Sequence, residues 1–586
     1  MSTRTSNRPD FELTDSQYRT DRLTSRVKAM RLLAVIVFVI LAAPLAFVQS
    51  FVAPDDVLKM AGNTTQTVEV PAVRGAIYDR NGQIMAVTVD ARNVIADQTL
   101  VTDPVGEARK LANLLDLDPA DLALKLNGDR RYIRLKMNVT PTTWDQIETL
   151  GLPGIYSERS QARSYPEGQL GANVLGYVNS DGVGVGGIEL MMNSILSGTD
   201  GSRTFAVVPG VSTADQSFTE AIDGTNVQLT IDRDLQWVAQ EAIAQQVKKT
   251  GAASGSVIVM DPQTGEILAM ATAPTFDPND LNSSSERNLG NRILTNVYEP
   301  GSIGKTITMA TAMNDGGMSP TSKMIIPAKL KRADKTFRDH DPHGRLKLTL
   351  TGVLAVSSNI GSIMAAEKVS DTVLYNALKA FGIGQPSGLD FPGESTGRLP
   401  NPDNGEWSGT TKPTLAFGQG YSVNALQATS IFATFANNGI RVQPRIISGY
   451  TDKDGRFENA PGSESHRVVS DQVAKDVRLM MESVVSAEGT APLAKIKGYR
   501  IAGKTGTASY YDAKRGKYSG YVASFIGMAP ADKPELVVSV VLERPVNGHY
   551  GGEVAAPIFK KVMTYALQRY RILPTEKLAK PLPLDW

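Results

Sequence analysis

Apolar residues are most concentrated near the start of the chain. Residues 32–48 contain no charged side chain, and the uncharged stretch continues to residue 53. A helix needs about 20 mostly apolar residues to cross the hydrocarbon core of a bilayer. The pattern therefore predicts a single transmembrane helix over residues 32–53.

The charges on either side of this helix predict its orientation. Basic residues precede it and acidic residues follow it: Arg19, Arg22, Arg26, Lys28 and Arg31, then Asp55 and Asp56. Positive charge favours the cytoplasmic side, so residues 1–31 are predicted to be a cytoplasmic tail without regular structure. Everything after residue 54 is predicted to lie outside the cytoplasm. The basic leader is long, and no clean small-x-small cleavage site is visible. We therefore expect a retained signal anchor rather than a cleaved signal peptide.

Short β-like runs separated by glycine turns are typical of residues 54–225. One helical run, at 105–114, follows the first of these runs. Alternation with a period of two indicates half-buried strands, so this part is predicted to be a mostly β domain. It contains no compact cluster of catalytic side chains, which predicts a non-catalytic pedestal.

Residues 226–570 combine strand patterns with longer helical runs. The sequence predicts a strand at 226–231, a helix at 232–247, a hairpin at 256–260 and 267–272, helices at 352–366 and 425–436, and a buried strand at 537–542. This mixture predicts a second domain of the α+β class, in which helices accompany a mixed sheet. Residues 571–586 are rich in proline and are predicted to form an extended C-terminal tail.

Composition excludes several kinds of chemistry. With 61 basic and 60 acidic residues among 586, the net charge is +1, and the basic residues form no stripe that could follow a nucleic acid. The absence of cysteine excludes disulfides, thiolate metal sites and cysteine nucleophiles. His340, Asp341 and His343 have a spacing that metal ligands can have. They lie in a Pro/Gly loop, however, which favours a structural loop without a metal.

Candidate chemistry is concentrated at the start of one predicted helix. Glu299-Pro300-Gly301 predicts a turn, and the following residues predict a helix that begins at Ser302. Ser302 and Lys305 are three residues apart and therefore share one face of the first helical turn. A serine hydroxyl needs a neighbouring base, and a lysine can serve where burial or a second cation lowers its pKa. Free N–H groups at the helix start favour a developing oxyanion.

Two further motifs follow in the same domain. The S-S-N motif at residues 357–359 supplies a hydroxyl and an amide, and the K-T-G motif at residues 504–506 fits the edge of a strand. The glycine of K-T-G lets a substrate approach the backbone closely, and its lysine and threonine can bind a carboxylate. Each motif alone is more typical of a turn or a strand end. The order S-x-x-K, S-x-N, K-T-G within one domain indicates a single active site.

These three motifs are those of the penicillin-binding proteins and serine β-lactamases. From residue 30 to about residue 570 the chain resembles the class B penicillin-binding proteins, in particular the division-specific peptidoglycan D,D-transpeptidases. The stretches that carry the wider likeness are RGAI at 74–77, DRNG at 79–82, RSYP at 163–166, GGIE at 186–189, LTID at 229–232, the segment 261–271, the His343-Gly344 stretch and GQG at 418–420.

The resemblance implies a domain order, a reaction and a set of partners. A dimerisation-like pedestal would precede a penicillin-binding transpeptidase domain, whose antiparallel sheet is flanked by helices. The enzyme would cross-link peptidoglycan stem peptides at the division septum of a bacterial cell membrane, would be acylated by β-lactams, and would need no metal or organic cofactor. Its implied partners are the stem peptides, the membrane, a multi-spanning glycosyltransferase and other division proteins.

The resemblance also implies a role for each motif residue. Ser302 would attack the carbonyl between the two terminal D-alanines of a stem peptide, and Lys305 would take its proton. Ser357 and Asn359 would relay protons and orient the peptide. Backbone N–H groups of Ser302 and Thr507 would form the oxyanion hole. The substrate-binding residues would be Lys504, Thr505, Gly506 and Thr507, of which Lys504, Thr505 and Thr507 would hold the terminal carboxylate.

Several alternatives stay open. An elongation-type class B transpeptidase would carry the same motifs. A β-lactamase or D,D-carboxypeptidase would pass the acyl group to water, but the retained anchor, the long pedestal and the lack of a deacylating glutamate after S-S-N count against it. A β-lactam sensor or a division scaffold would keep the fold without the reaction.

Three other residues receive a structural prediction. Arg74 and Asp79 are predicted to stabilise the pedestal rather than to form a site. Gly304 departs from relatives, in which the residue before the lysine is usually bulkier. Because glycine costs up to about 1 kcal/mol in a helix relative to alanine, we expect Gly304 to loosen the nucleophile turn.

Overall fold

The computed structural model describes residues 15–51, 65–206, 215–512, 515–575 and 580–586. Contacts divide the chain into two units, Met1–Pro71 with Asp200–Ala221, and Ala72–Thr199 with Ile222–Trp586. The second unit contains most of the predicted pedestal and all three sequence motifs.

One long helix, Asp15–Phe51, belongs to the first unit. Its segment Arg26–Pro44 has a mean hydropathy of 2.2 and is not buried, so it is long and apolar enough to cross a membrane. This helix is compatible with the predicted single-pass anchor, of which residues 52 and 53 lie outside the described part. Residues 15–31 were predicted to lack regular structure, and this is wrong, because they continue the same helix.

A three-stranded antiparallel sheet completes the described part of the first unit. Its strands are Thr65–Val70, Gly201–Ala206 and Asp215–Thr219, with the second in the middle. The hydroxyls of Thr67 and Thr204 are 3.0 Å apart across the first pair. Segments more than 100 residues apart in the sequence thus pair, which local alternation could not reveal.

Three helices of the pedestal region begin at a proline: Pro104–Leu115, Pro119–Leu126 and Pro141–Glu148. The side chains of Asp103, Asp118 and Thr140 cap them by accepting hydrogen bonds from the first turn. Proline suits the first helical position, because its φ is already helical and its missing N–H has no partner there. The predicted helical run at 105–114 is confirmed. These helices share a small core that includes Leu111, Leu126 and Ile147.

One seven-stranded sheet links the pedestal region to the chain beyond residue 225. Its strands are Ile77–Tyr78, Ile84–Ala96, Ile133–Val139, Ile155–Ser164, Asn226–Leu229, Ile447–Thr451 and Phe457–Asn459. Ile84–Ala96 pairs with the next two of these in antiparallel fashion, and Ile77–Tyr78 pairs with Asn226–Leu229 in parallel. Short elements follow the long strands: Ala172–Leu175, Tyr177–Val178, Gly184–Gly186, Gly187–Met191 and Asn193–Leu196.

Several pedestal stretches noted in the sequence meet at Glu189, which has no exposed surface. The Nε atoms of Arg74 and Arg163 each lie 2.7 Å from one of its carboxylate oxygens.

Asp79 accepts hydrogen bonds from the backbone N–H groups of Asn81, Gln83 and Arg233. Arg74 and Asp79 therefore stabilise the fold, as predicted.

The region of the motifs is built on a five-stranded antiparallel sheet. In spatial order its strands are Ile267–Ala273, Ser254–Met260, Leu536–Glu543, Lys517–Ala529 and Ala502–Asp512. The first two of these strands form the predicted hairpin, and the third is the predicted buried strand. Both predictions are confirmed. The last, which we call the edge strand, carries K-T-G. An edge strand leaves alternate N–H and C=O groups unpaired, so an extended peptide can add to it.

Helices cover both faces of this sheet. Arg233–Thr250 and Ala556–Arg569 pack on it and on each other, and Ala425–Ala436 packs against the same central strands. Every residue of Leu536–Glu543 except the last is buried, although successive side chains of a strand point to opposite faces. The α+β class is confirmed.

The remaining helices and strands surround the sheet. They are the helices Arg292–Thr295, Lys305–Asn314, Leu350–Ala355, Asn359–Ala366, Asp371–Ala380, Thr411–Leu415, Asp471–Val484 and Gly551–Val554, and the strands Lys323–Ile326, Leu330–Arg332, Lys335–Phe337, Leu346–Thr349, Ile440–Val442 and Ser465–Arg467. The predicted helix at 352–366 is therefore two helices. Ser357, at φ 61°, lies between them, and a left-handed serine cannot continue a right-handed helix.

Candidate active site

Ser302 lies in a tight turn directly before a helix. The 3₁₀ turn Gly301–Gly304 leads into the helix Lys305–Asn314, so the α-helix begins three residues later than predicted. Gly301 has a φ of 56°, and its N–H donates to the carbonyl oxygen of Gly418 at 2.9 Å. Because the helix is buried along almost its whole length, Ser302 stands on a rigid base.

Ser357 connects the predicted nucleophile to two lysines. Its Oγ donates to the Oγ of Ser302 at 2.9 Å. The Nζ of Lys305 donates to the same Ser357 Oγ at 3.1 Å and also to the Ser357 carbonyl oxygen. The Nζ of Lys504 donates to Ser357 Oγ at 3.1 Å as well. A proton that leaves Ser302 therefore has a hydrogen-bonded path to a lysine through the Ser357 hydroxyl.

Burial decides the charge of these lysines, which have no exposed surface. Burial lowers the pKa of Lys305 to about 7, although the carboxylate of Asp339 opposes the shift. Burial and the neighbouring Lys305 lower the pKa of Lys504 well below its ordinary value. A buried ammonium loses its hydration, and two close ammonium groups repel each other. A neutral amine is therefore available beside Ser302 at neutral pH.

The edge strand places the K-T-G residues beside Ser302. The hydroxyl of Thr505 lies 2.8 Å from that of Thr490 and accepts a hydrogen bond from Lys504 Nζ at 3.2 Å. Thr507 Oγ1 accepts a hydrogen bond from the N–H of Gly551 at 3.3 Å. Two threonine hydroxyls are thus held in fixed positions along one strand.

Close packing explains why residue 506 is a glycine, which the sequence did not indicate. A Cβ at this position would lie 2.3 Å from the Oγ of Ser524 and 3.0 Å from Cγ1 of Ile303. The space that a side chain would need is therefore filled by the neighbouring strand and by the nucleophile turn. Glycine here lets the edge strand lie close to Ser302.

A groove of about 630 Å³ opens above the nucleophile turn. Five of the predicted side chains line it: Ser302, Ser357, Asn359, Thr505 and Thr507. Lys305 and Lys504 lie behind its wall. At the rim, His340 Nε2 is 3.1 Å from the hydroxyl of Tyr550, and the rings of Tyr521 and His549 stack with centroids 4.7 Å apart. The structure therefore brings all three sequence motifs to one groove.

Comparisons with known proteins identify the family. The family model described as the penicillin binding protein transpeptidase domain matches residues 255–564, and the penicillin-binding protein dimerisation domain matches residues 69–229. Penicillin-binding protein PbpB of Mycolicibacterium smegmatis is 35% identical over 560 residues, which cover 88% of this chain and 86% of that protein. The chain belongs to the penicillin-binding transpeptidases.

Other relatives of this penicillin-binding transpeptidase agree. Peptidoglycan D,D-transpeptidase FtsI of Escherichia coli is 34% identical over 534 residues, or 89% of this chain and 88% of that protein. The crystal structure of penicillin binding protein 3 from Mycobacterium tuberculosis, complexed with aztreonam, is 32% identical and covers 89% of this chain and 100% of that one, with a TM-score of 0.71. The predicted class B family, its domain types and its serine-type enzyme class are confirmed.

Asp339 holds the S-S-N turn of this penicillin-binding transpeptidase, and sequence reasoning missed it. Its Oδ2 accepts a hydrogen bond from Ser358 Oγ at 2.6 Å and lies 2.9 Å from Nε2 of His343, while its Oδ1 accepts from the N–H of Ile360 at 2.8 Å. The only local signal was an acidic residue next to the histidine-containing loop. His343, considered above for its metal-ligand spacing, orients this carboxylate.

Gly304 makes the nucleophile turn of the penicillin-binding transpeptidase tight. A Cβ at Gly304 would lie 2.2 Å from the hydroxyl oxygen of Tyr421 and 2.9 Å from Cα of Gly418. Tyr421 is only 2% exposed, so it cannot move aside into solvent. The expectation that Gly304 loosens the turn is wrong, because the missing side chain is replaced by a buried tyrosine.

We expect Gly304→Ala to destabilise the penicillin-binding transpeptidase by about 1–3 kcal/mol, since overpacking forces neighbouring groups apart. Acylation by a fluorescent penicillin should slow as well, because the displaced turn carries Ser302. The double variant Gly304→Ala/Tyr421→Phe removes the closest clashing atom and should recover part of both losses. Thermal unfolding and stopped-flow labelling measure these effects, and a single variant as stable as the unchanged protein would contradict the prediction.

Proposed function

We propose that this protein is a peptidoglycan D,D-transpeptidase that cross-links stem peptides during septal wall synthesis. The hydrogen-bonded chain from Ser302 through Ser357 to Lys305, at the base of a groove beside the K-T-G strand, carries the proposal. It supplies a nucleophile, a proton path and a partly neutral base together. The name of the Escherichia coli relative and the aztreonam bound to the Mycobacterium tuberculosis relative support this substrate and β-lactam inhibition.

In the first half-reaction Ser302 Oγ attacks the carbonyl carbon between the two terminal D-alanines. Its proton passes to Ser357 Oγ, and the Ser357 proton passes to the neutral amine of Lys305. The tetrahedral intermediate then collapses, the C–N bond breaks, and the terminal D-alanine leaves with a proton from Lys305 on its amine. The product is an ester of the stem peptide on Ser302.

In the second half-reaction an amine of a neighbouring stem peptide attacks the ester carbonyl. Lys305 accepts the proton that the amine loses, and the ester C–O bond breaks. Ser302 regains its proton through Ser357, and the new amide is the cross-link. The reaction needs no external source of free energy, because one amide bond is broken and another is formed.

The oxyanion of both intermediates is proposed to bind the backbone N–H groups of Ser302 and Thr507. The Thr507 carbonyl oxygen lies 3.4 Å from the position that a Cβ of Gly301 would occupy, so this carbonyl faces the nucleophile turn. The N–H and C=O of one residue in a strand point to the same side, which directs the Thr507 N–H there too. Backbone donors fixed in this way favour the developing charge.

The hydroxyls of Thr505 and Thr507 are proposed to bind the terminal carboxylate, and Asn359 is proposed to orient the peptide. Lys504 is buried, so it acts on the carboxylate through the Thr505 hydroxyl, to which its Nζ donates a hydrogen bond at 3.2 Å. This differs from the direct contact that the family resemblance implied. Gly506 contributes by keeping the strand close to Ser302 rather than by touching the substrate.

The apolar helix is proposed to be a retained single-pass anchor, with its N-terminal side in the cytoplasm and the catalytic domain outside. The basic residues before it and the acidic residues after it support this orientation. The proposed enzyme cross-links glycan strands but does not polymerise them, so a multi-spanning glycosyltransferase is its expected partner. Co-purification of such an enzyme with the full chain, but not with a chain lacking residues 15–51, would support this pairing.

The low pKa of Lys305 predicts a pH dependence of acylation. The base must be neutral to accept a proton, and protonation below pH 7 removes it. The second-order rate constant for a fluorescent penicillin should therefore rise about tenfold per pH unit below pH 7 and level off above it. A rate that is flat or falls between pH 5.5 and 7 would contradict the proposed base.

The reaction itself is tested with the purified full chain in detergent micelles. Peptide mapping after exposure to penicillin should locate a long-lived adduct on Ser302. With a donor pentapeptide and an acceptor stem peptide, the expected product is a cross-linked dimer with release of one D-alanine. Hydrolysis to a tetrapeptide alone would indicate a D,D-carboxypeptidase, and rapid penicillin turnover would indicate a β-lactamase.

The septal role is tested in growing cells. A fluorescent fusion should gather at midcell, and depletion of the protein should block septation while the lateral wall continues to grow. An elongation-type transpeptidase would instead distribute along the lateral wall, and its depletion would round the cells. Complete rescue of depleted cells by a variant without transpeptidase activity would favour the scaffold alternative.

A further inference from the structure

Residues 582–586, which we call the distal segment, pack beside a short two-stranded sheet. In this sheet Leu346–Thr349 pairs in antiparallel register with Lys323–Ile326. Leu348 of the sheet also forms an antiparallel bridge with Asp585 of the distal segment. The segment therefore extends the sheet by β-addition, although it lies more than 230 residues away in the sequence.

The distal segment also completes the cap of the helix Leu350–Ala355. The N-cap residue Thr349 uses its Oγ1 to accept a hydrogen bond from the N–H of Gly352 at 3.0 Å and to donate one to the carbonyl oxygen of Pro583 at 2.6 Å. Its backbone N–H donates to the carbonyl oxygen of Leu584 at 2.9 Å. A threonine hydroxyl has only one proton. Because Thr349 donates this proton to Pro583, its oxygen is left to accept the hydrogen bond from the helix N–H.

No side chain fits between this helix and the distal segment. A Cβ on Gly352 would lie 1.9 Å from the carbonyl oxygen of Leu584. The helix backbone and the segment backbone are therefore in direct contact. Glycine at this position of a helix is costly by itself, and the close approach supplies a reason for it.

Trp586 binds the end of the distal segment to the two-stranded sheet. Its ring lies 4.9 Å from the Nζ of Lys323 and 5.0 Å from the Nζ of Lys347, which gives two cation–π contacts. Its Nε1 donates to the carbonyl oxygen of Met324 at 3.4 Å. Both lysines belong to the two-stranded sheet, so Trp586 connects the segment to each of its strands.

The capped helix ends at the centre of the active site. Leu350–Ala355 is buried at every residue, and Ser357 follows two residues after its end. The Ser357 hydroxyl is the group that Ser302, Lys305 and Lys504 share. In a closely packed interior a short helix moves as a body, so a shift at its capped start reaches Ser357.

We propose that the distal segment is a positioning element for acylation, which holds Ser357 within hydrogen-bond reach of Ser302 and Lys305. The inference rests on the proposed acylation of Ser302. Loss of the segment would leave every catalytic side chain present but would release the start of the helix that leads to Ser357. Misplacement of a reacting group by about 1 Å can cost on the order of 100-fold in rate.

The test compares the full chain with a variant lacking residues 581–586, both purified in detergent micelles. Rapid-mixing experiments with a fluorescent penicillin separate the non-covalent dissociation constant from the acylation rate constant. We expect the acylation rate constant to fall at least tenfold, while the dissociation constant changes less than twofold and every molecule is still labelled at the end point. Complete labelling shows that the active site remains folded, so the loss is one of positioning.

Two further measurements distinguish positioning from general stability. The synthetic peptide PLPLDW, which is residues 581–586, should restore the rate of the shortened chain in a saturable manner, and a scrambled peptide should not. Gly352→Ala, which keeps the segment but denies it contact with the helix, should slow acylation like the deletion. Ile147→Val, in the separate pedestal core, should lower the unfolding temperature without slowing acylation.

The possible results separate the inference from the function on which it rests. Acylation of the shortened chain at the rate of the full chain would overturn the positioning role and leave the proposed function intact. A fall in the apparent acylation rate that is explained entirely by a smaller fraction of labelled molecules would also overturn the positioning role, because it would reflect unfolding. Failure of the full chain to be acylated would overturn both.

Discussion

Ser302→Ala is expected to abolish covalent labelling by penicillin, whereas Ser357→Ala is expected to slow labelling and leave the adduct on Ser302. The two hydroxyl oxygens are only 2.9 Å apart, and both lysines donate to that of Ser357. Ser302, however, precedes the helix and faces the proposed oxyanion donors, while Ser357 stands between it and the base. Loss of a nucleophile typically costs on the order of 10⁶-fold, and loss of a proton-transfer group on the order of 10²–10⁴-fold.

Intact-protein mass spectrometry after a timed exposure to penicillin measures both effects. Ser319→Ala, an exposed serine outside the groove, is the matched control and should be labelled at the unchanged rate. Each variant should unfold within a few degrees of the unchanged protein, since neither change opens a large cavity. An adduct on Ser357, in any of these proteins, would show that the two serines have been assigned the wrong roles.

Glu189→Ala is expected to lower the free energy of unfolding by about 3–5 kcal/mol. The glutamate has no exposed surface and lies between two guanidinium groups, with Nε–oxygen distances of 2.7 Å to both Arg74 and Arg163. The hydroxyl of Tyr165 lies 3.3 Å from the same carboxylate. Removal of the carboxylate leaves two buried positive charges without their partner, and that desolvation is what makes the change severe.

Urea unfolding followed by circular dichroism measures this loss. Glu167→Ala is the matched control, because Glu167 pairs with Arg233 at 3.0 Å but the two side chains are 40% and 32% exposed. An exposed pair contributes at most about 1 kcal/mol, so this variant should be nearly as stable as the unchanged protein. Equal stability of the two variants would mean that the buried network does not hold the pedestal together.

Local signals explain why much of the fold could be predicted. The predicted anchor is a continuous apolar stretch, the hairpin contains a turn between two apolar runs, and the one predicted pedestal helix is a short helical run that begins after Asp103. Each of these depends on neighbours within a few residues. The predicted helix at 352–366 failed for the opposite reason, because Asp339 binds Ser358 and Ile360 beside Ser357, whose left-handed φ local propensity does not favour.

Several features of the site depended on tertiary packing alone. Gly304 looked like a weak point until Tyr421, more than 100 residues away, was found in the space of its missing side chain. Gly506 was predicted to let a substrate approach the backbone, and the structure adds that Ser524 and Ile303 fill the space of its missing side chain. In both cases the residue type was visible in the sequence and its reason was not.

By itself, the sequence determined the candidate reacting groups, their order along the chain and the family to which the chain belongs, because residue types and short spacings are local properties. Only the tertiary structure decided that Ser302 reaches Lys305 through Ser357, that both lysines are buried, that Asp339 holds the S-S-N turn, and that the distal segment contacts the start of the helix before this turn. Ser357 lies 55 residues from Ser302 and 147 from Lys504. Contacts over such separations, and the pKa changes that burial causes, exist only once the chain has packed.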